Sequence, residues 1–169
     1  MNTVLCEFCL KSGMLCPSCE GKVRRGEVSE LYVEVARFLL EVESRWPQLH
    51  PVTLYDVVDG DGVMALVVNR GAMKTMLRLK PLLRELSRRF GRKVKVLERG
   101  VSERRFIEDL FSPMEVVAIN AIWLPDGSTE TRVVIRGRRP QSFSREEEEA
   151  LKRIAMKVRG LSLRVAFSR

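Results

Sequence analysis

The chain has 169 residues, of which 45% are hydrophobic and 31% are charged, with 30 Lys and Arg against 22 Asp and Glu. This composition excludes a disordered tail and allows one ordinary domain or two small ones. The longest apolar runs fall far short of the roughly 18 residues that span a bilayer, and a basic-then-apolar leader is lacking, so we expect a cytoplasmic protein with no membrane partner.

All four cysteines lie within the first nineteen residues, as two Cys-x-x-Cys pairs with six residues between them: Cys6 and Cys9, then Cys16 and Cys19. Two such turns supply the four thiolates that tetrahedral zinc prefers, and six residues suffice for a hairpin that brings the turns together. The pattern predicts one structural zinc ion in a small knuckle, residues 1–26, packed on a larger body.

Two other uses of the cysteines fit the pattern less well. A cytosolic compartment keeps thiols reduced, which disfavours disulfides, and a redox pair would not need a duplicate. A catalytic zinc site keeps an open position, whereas four thiolates fill the coordination sphere. The only histidine, His50, lies in no recognisable motif, and a triad, a P-loop and Gly-x-Gly-x-x-Gly are all lacking. We therefore expect a protein that is not an enzyme and has no small-molecule substrate.

Apolar periodicity predicts a succession of helices and strands after the knuckle. In chain order, the predicted elements of the first half are helix 27–46, strands 52–58 and 63–68, helices 71–77 and 81–90, and strand 93–98. The same order then recurs in reduced form. Its elements are helix 103–111, strands 116–124 and 131–136, helix 144–159 and strand 161–167. A capping box at Ser144 and Glu147 marks the start of the last helix.

Positive charge is concentrated in one part of the chain. Residues 69–105 contain 13 basic and three acidic side chains. Such a block is typical of a protein that binds a polyanion, because phosphate contacts and counterion release supply most sequence-independent affinity. The alternative is a solvated surface of an Arg-rich protein with a thermophile-like composition.

The element order and three phrases resemble the archaeal NusA-like proteins. The phrases are FGRKVKV at residues 90–96, FIEDLFSP at residues 106–113 and RIAMKVRG at residues 153–160. The similarity covers roughly residues 27–167, and the cysteine knuckle is additional to the minimal form of that family.

The resemblance implies an α/β (α+β) fold with two type II KH units in tandem, residues 27–99 and residues 100–169, preceded by the zinc knuckle. It also implies RNA as the partner and a role in transcription elongation or termination, and hence in transcription regulation, beside RNA polymerase. Two alternatives stay open at this point. One is a ribosome-associated RNA-binding protein, and the other is a module that docks proteins and binds no RNA.

KH domains hold single-stranded nucleic acid with a Gly-x-x-Gly loop between two helices, because glycines let the backbone approach the phosphates. At that place the first unit has Arg78-Leu79-Lys80-Pro81, or Val68-Asn69-Arg70-Gly71 in another register. The second unit has four glutamates, residues 146–149, which repel phosphates. Those glutamates either stabilise the start of a helix or form an acidic docking patch.

Cations at helical spacing take the place of the missing glycines in this interpretation. Long basic side chains can follow a phosphate backbone, although with less sequence selectivity. The predicted RNA-binding residues are Arg70, Lys74, Arg78, Lys80, Arg84, Arg88, Arg92 and Lys93.

Overall fold

The computed structural model describes residues 1–168 as an α+β fold. Its elements in chain order are β1 (Asn2–Thr3), α1 (Glu7–Ser12), α2 (Pro17–Arg24), α3 (Glu30–Val42), β2 (Thr53–Asp59), β3 (Val63–Val68), α4 (Ala72–Arg78), α5 (Lys80–Phe90), β4 (Lys93–Glu98), α6 (Glu103–Phe111), β5 (Val116–Trp123), β6 (Thr129–Arg136), α7 (Arg145–Arg159) and β7 (Leu163–Ser168). A short 3₁₀ helix, Pro47–Leu49, precedes β2. Over this part of the chain, no helix is long and apolar enough to cross a membrane.

The two sheets have the same connectivity in their last three strands. In the first sheet, of order β1-β2-β3-β4, strand β2 is antiparallel to β3, and β4 is parallel to β3. In the second sheet, β5 is antiparallel to β6, and β7 is parallel to β6. From residue 27 onward, the predicted order of elements is confirmed. We call α3 to β4 the first unit and α6 to β7 the second unit, which has one helix fewer.

Helix ends are set by local capping. Helix α3 begins after Ser29, whose Oγ accepts a hydrogen bond from the Tyr32 N–H at 3.0 Å, and it ends at Val42, so it is shorter than predicted. Helix α7 begins after Ser144, whose Oγ accepts a hydrogen bond from the Glu147 N–H at 3.1 Å. This bond confirms one half of the predicted capping box.

One hydrophobic core joins the cysteine region to the first sheet. Leu10 of α1 and Leu39 of α3 are buried in it together with Leu66 of β3 and with Leu82 and Leu86 of α5. Strand β1 also pairs with β2 at the edge of this sheet. Residues 1–26 therefore share a hydrophobic core with the first unit.

A second core lies between the two sheets. Side chains alternate along a strand, so β3 directs Val63, Ala65 and Val67 to the face opposite Leu66. There they pack with the buried faces of α6 and α7, including Ile107 and Ile154. The layers are thus α3 to α5, the first sheet, α6 with α7, and the second sheet, and β3 is buried on both faces.

Candidate metal centre and nucleic-acid interface

The Sγ atoms of the four cysteines lie within 4.8 Å of one another. Cys6 is the N-cap of α1 and Cys16 is the N-cap of α2, and Cys9 and Cys19 follow in the first turns of those helices. The predicted hairpin between the pairs is wrong. The intervening residues are the second half of α1 and a turn at Gly13, whose φ is 79°. Two helix starts therefore bring the thiols together.

Backbone amides are directed at two of the sulfurs. The Cys6 N–H donates to Cys19 Sγ at 3.3 Å, and the Cys16 N–H donates to Cys9 Sγ at 3.2 Å. Each pair thus supplies one amide to a sulfur of the other pair. The hydrogen bond from the Cys16 backbone acts to lower the pKa of Cys9, but burial and the neighbouring thiols outweigh it, so the pKa of Cys9 is raised.

The thiols also change the ionisation of one another. A hydrogen bond from the Cys19 backbone lowers the pKa of Cys16 to about 7. Hydrogen bonds with the thiols of Cys19 and Cys16 raise the pKa of Cys6 to about 12. Ligating thiols are deprotonated, so binding a cation at this cluster would release protons.

The donor set fits a tetrahedral soft metal. A metal–sulfur distance of about 2.3 Å in a regular tetrahedron puts the sulfurs about 3.8 Å apart, so the observed limit of 4.8 Å requires only a small contraction. Cys9 and Cys19 are buried, Cys16 is half-buried and Cys6 is exposed. The cluster is compatible with a metal site that is sealed on one side by the core and has no open coordination position.

Seven of the eight predicted RNA-binding residues are exposed, all but Arg92, and six of these seven form no ion pair and no hydrogen bond within residues 1–168. One set of three runs from just before α4 to its end, and the other set of three runs along α5, each at intervals of four residues. These six, which we call the α4–α5 basic face, are Arg70, Lys74, Arg78, Lys80, Arg84 and Arg88.

The α4–α5 basic face points away from the first core. At about 100° per residue, Arg84 lies about 180° around the helix axis from the midpoint of buried Leu82 and Leu86. Lys74 has the same relation to two buried residues of α4, Ala72 and Met76. Because both helices pack on one face of the first sheet, their cations project into solvent on the same side of the molecule.

Arg92 and Lys93 are held by carboxylates. The Nε and Nη2 atoms of Arg92 donate to the two carboxylate oxygens of Asp59 at 3.1 and 3.0 Å. Lys93 Nζ donates to Glu147 Oε2 at 2.9 Å, which links the two units. The hydrogen bond from Arg92 lowers the pKa of Asp59. The charges of these two residues are thus compensated within the protein, whereas those of the other six predicted residues are not.

Residues 78–81 lie at the junction of α4 and α5, where the first prediction put the missing glycine loop. The other register is wrong, because Gly71 is the N-cap of α4 and follows strand β3. Its N–H donates to Glu98 Oε2 at 2.5 Å, and the Met73 N–H donates to the same oxygen at 3.2 Å. A buried carboxylate of the protein therefore occupies the amides that begin α4.

The four glutamates at residues 146–149 lie at the start of α7, the first three of them in its first turn. Three of them are paired with cations: Glu147 with Lys93, Glu148 with Arg139 and Lys152, and Glu149 with Lys152. This pairing favours the helix-stabilising role over an acidic docking patch.

A cleft of about 640 Å³ lies between the two units, where α7 ends beside the chain that follows β4. Arg99, Lys157 and Arg159 are its basic lining residues. None of these three residues was among the predicted site residues. The signal available in the sequence was the pair Arg99-Gly100, a cation beside a glycine at a junction.

Comparisons with known proteins identify no family. No family model matches the chain, and no curated protein matches it significantly. Among solved structures, the chain is similar to the one described as the crystal structure of APE1850, with 18% identity and a TM-score of 0.49, over 76% of this chain and 96% of that chain. The fold and the four thiols define an α+β protein with a cysteine cluster that is compatible with a metal site.

Proposed function

We propose that the protein is a non-enzymatic RNA-binding protein that captures RNA through the α4–α5 basic face. The observation that carries this proposal is the presence of six exposed cations with no carboxylate partner among the described residues, five on the outward sides of two adjacent helices and one just before the first helix. A cation without an internal partner is available to a phosphate, and spacing of one turn lets several cations follow one strand.

The composition of the basic face also defines the mode of binding. Phe90, the aromatic residue of α5, is half-buried and stacks edge-on against Phe38 at a centroid distance of 6.2 Å. The face is therefore built for backbone contacts and not for base stacking, which supports electrostatic capture with little sequence selectivity. The resemblance to archaeal NusA-like proteins favours a role in transcription elongation or termination beside RNA polymerase, with ribosome association as the alternative.

We infer that the metal is one structural zinc ion held by Cys6, Cys9, Cys16 and Cys19. Four thiolates suit zinc and leave no position for a substrate. The knuckle contacts the first unit through Leu10, which is fully buried, and Arg37 Nε of α3 donates to the Leu10 carbonyl oxygen at 2.9 Å. Phe8 is 78% exposed and does not take part in this packing. The bound ion therefore acts by fixing α1 against α3.

The test of RNA binding is charge reversal on the basic face. The variant Arg78→Glu, Lys80→Glu, Arg84→Glu should lose binding to a random single-stranded RNA oligonucleotide while its circular dichroism spectrum stays unchanged. A matched control reverses three exposed cations of the second unit that lie outside the basic face, Arg132, Arg138 and Arg145, and should retain most of the affinity. Equal affinity of the two variants would show that the basic face has no role.

The same titration separates RNA capture from protein docking. If the protein captures RNA, its RNA affinity must fall steeply as the salt concentration rises. A protein-docking module would have no affinity for RNA even at low salt. Co-sedimentation with purified ribosomes at moderate salt, compared with co-purification with RNA polymerase, then distinguishes the two cellular settings.

A further inference from the structure

We propose that the cleft between the two units is a second phosphate-binding site on the same RNA path, an inference that rests on the proposed RNA binding. The cleft is bounded by the first sheet, by the chain after β4, and by the C-terminal turn of α7. Its volume of about 640 Å³ is that of an ordinary ligand site. We assign it to the RNA strand that leaves the α4–α5 basic face.

Three cations of the cleft are positioned by uncharged partners. The Arg99 guanidinium lies 4.5 Å from the centroid of the Tyr55 ring. Lys157 Nζ donates to the Asp59 carbonyl oxygen at 2.8 Å, and Arg159 Nη1 donates to the Val101 carbonyl oxygen at 2.8 Å. None of the three forms an ion pair with another residue in the range 1–168. Their positions are fixed, but their charge is not compensated.

Of the two carboxylates of the cleft, Glu98 is compensated within the protein, and Asp56 offsets one of the three cations. Glu98 is only 3% exposed, and its oxygens accept hydrogen bonds from the N–H groups at the start of α4 and from Arg105 Nη2 at 2.8 Å. Asp56 is half-buried, and burial raises the pKa of its carboxyl group. With Glu98 already paired, the remaining charge of the cleft is positive.

Arg70 connects the cleft to the basic face. A Cβ atom built on Gly100 would lie 4.0 Å from Cδ of Arg70, so this member of the basic face borders the loop that carries Arg99. The cations therefore continue from α5 and α4, past Arg70, to the cleft. A continuous row of cations suits an RNA strand, which has a phosphate at every nucleotide, whereas a single mononucleotide would contact only one part of the row.

The experiment compares RNA oligonucleotides of two lengths. One has about four nucleotides, the length that a single KH loop holds, and the other has about twelve. The test variant is Arg99→Glu with Lys157→Glu, because both side chains are exposed, and Arg159 is left in place since it lies 5.3 Å from the buried Phe106 ring. The control is Arg138→Glu with Arg145→Glu, which makes the same change in net charge. Arg145 begins α7, about 18 Å along the helix from Lys157.

We expect the wild-type protein to bind the longer oligonucleotide more tightly and with a steeper salt dependence. The test variant should lose this advantage, and its slope of log K against log salt should fall by about 1.4, for two lost contacts at about 0.7 each. Its affinity for the short oligonucleotide should change much less, and the control should behave like the wild type.

Three results would overturn the assignment. If the test variant keeps the wild-type slope for the longer oligonucleotide while the basic-face triple variant loses binding, the cleft is not on the RNA path, and the proposed function stands. If the wild-type protein binds neither length, the proposed function fails, and the cleft assignment fails with it. If uridine monophosphate raises the thermal midpoint of the wild type but not of the test variant, and the oligonucleotide slopes are equal, the cleft holds a free nucleotide.

Discussion

Gly60 lies so close to the backbone of Ala150 that a Cβ atom at position 60 would be 2.6 Å from the Ala150 carbonyl oxygen. Gly60 belongs to the turn between β2 and β3 of the first unit, and Ala150 lies in α7 of the second. The Gly60 carbonyl oxygen also accepts a hydrogen bond from Arg153 Nε at 2.8 Å. The two units thus meet at a backbone contact that requires a residue without a side chain.

Gly60→Ala should destabilise the protein by about 1–3 kcal/mol, because the added methyl group must push α7 away from the first sheet. The midpoint of urea unfolding measures this change. Gly21→Ala is the matched control, since its Cβ would meet only the flexible end of Arg25, at 3.0 Å, and alanine favours the helical conformation there. If Gly60→Ala is as stable as the wild type, the contact between the units is looser than described.

Removal of the metal should lower stability through the first core. Without a bound ion nothing ties the thiols at the start of α1 to those at the start of α2, so the packing of Leu10 in the first core is weakened. We expect about one zinc per chain by elemental analysis and a clear fall in the thermal midpoint after chelation, reversed by added zinc. Cys9→Ser should have a larger effect than Glu7→Gln, which changes a neighbouring exposed residue that is not a ligand. A metal-free protein with the wild-type midpoint would contradict the structural role.

The salt dependence of RNA binding should distinguish free cations from paired ones. Arg84→Ala should lower the slope of log K against log salt by about 0.7, the value for one phosphate contact on a single strand. Arg92→Ala should leave that slope unchanged, because its guanidinium is bound to Asp59, and should cost at most about 1 kcal/mol of stability. The reverse result, a change of slope with Arg92→Ala and none with Arg84→Ala, would place the RNA on the other side of the first unit.

The elements with strong apolar periodicity could be predicted from the sequence. In α5, Leu82 and Leu86 recur at one helical turn, and in α7, Leu151 and Ile154 give the same signal. Helices α1 and α2 were not predicted, because they have only six and eight residues. Their buried residues include Cys9 and Cys19, whose positions the Cys-x-x-Cys spacing already explained without a helix.

Contacts between distant parts of the chain could not be predicted. Asp59 and Arg92 are 33 residues apart, and Lys93 and Glu147 are 54 apart. Their meeting depends on strand register and on the packing of α7, and neither is encoded in a local spacing. The candidate site was therefore predicted best where it lies along single helices. It was predicted least well at the cleft, where Arg99 and Lys157 come from different units.

The half-buried carboxyl group of Asp56 provides a test of pH dependence. Burial raises its pKa above the ordinary value of 3.8, so the ionised form opposes folding. Asp56→Asn should therefore raise the free energy of unfolding by about 1 kcal/mol at neutral pH. The amide oxygen can keep the hydrogen bond from the Val57 N–H, which is 2.8 Å long in the wild type.

The sign of the effect follows from the two protonation states. Above the pKa of the folded carboxyl, Asp56 is ionised in both the folded and unfolded chain, and the full penalty of burial is present. Below pH 3.8 the group is protonated in both states, so the gain from Asp56→Asn should disappear there. Asp126→Asn is the opposite control, because hydrogen bonds from Ser128 lower the pKa of Asp126, and it should show no gain. A gain for Asp56→Asn that is equal at both pH values would assign the effect to packing instead.

Since Asp56 also lines the cleft, the same variant should bind the longer RNA oligonucleotide more tightly than the wild type does.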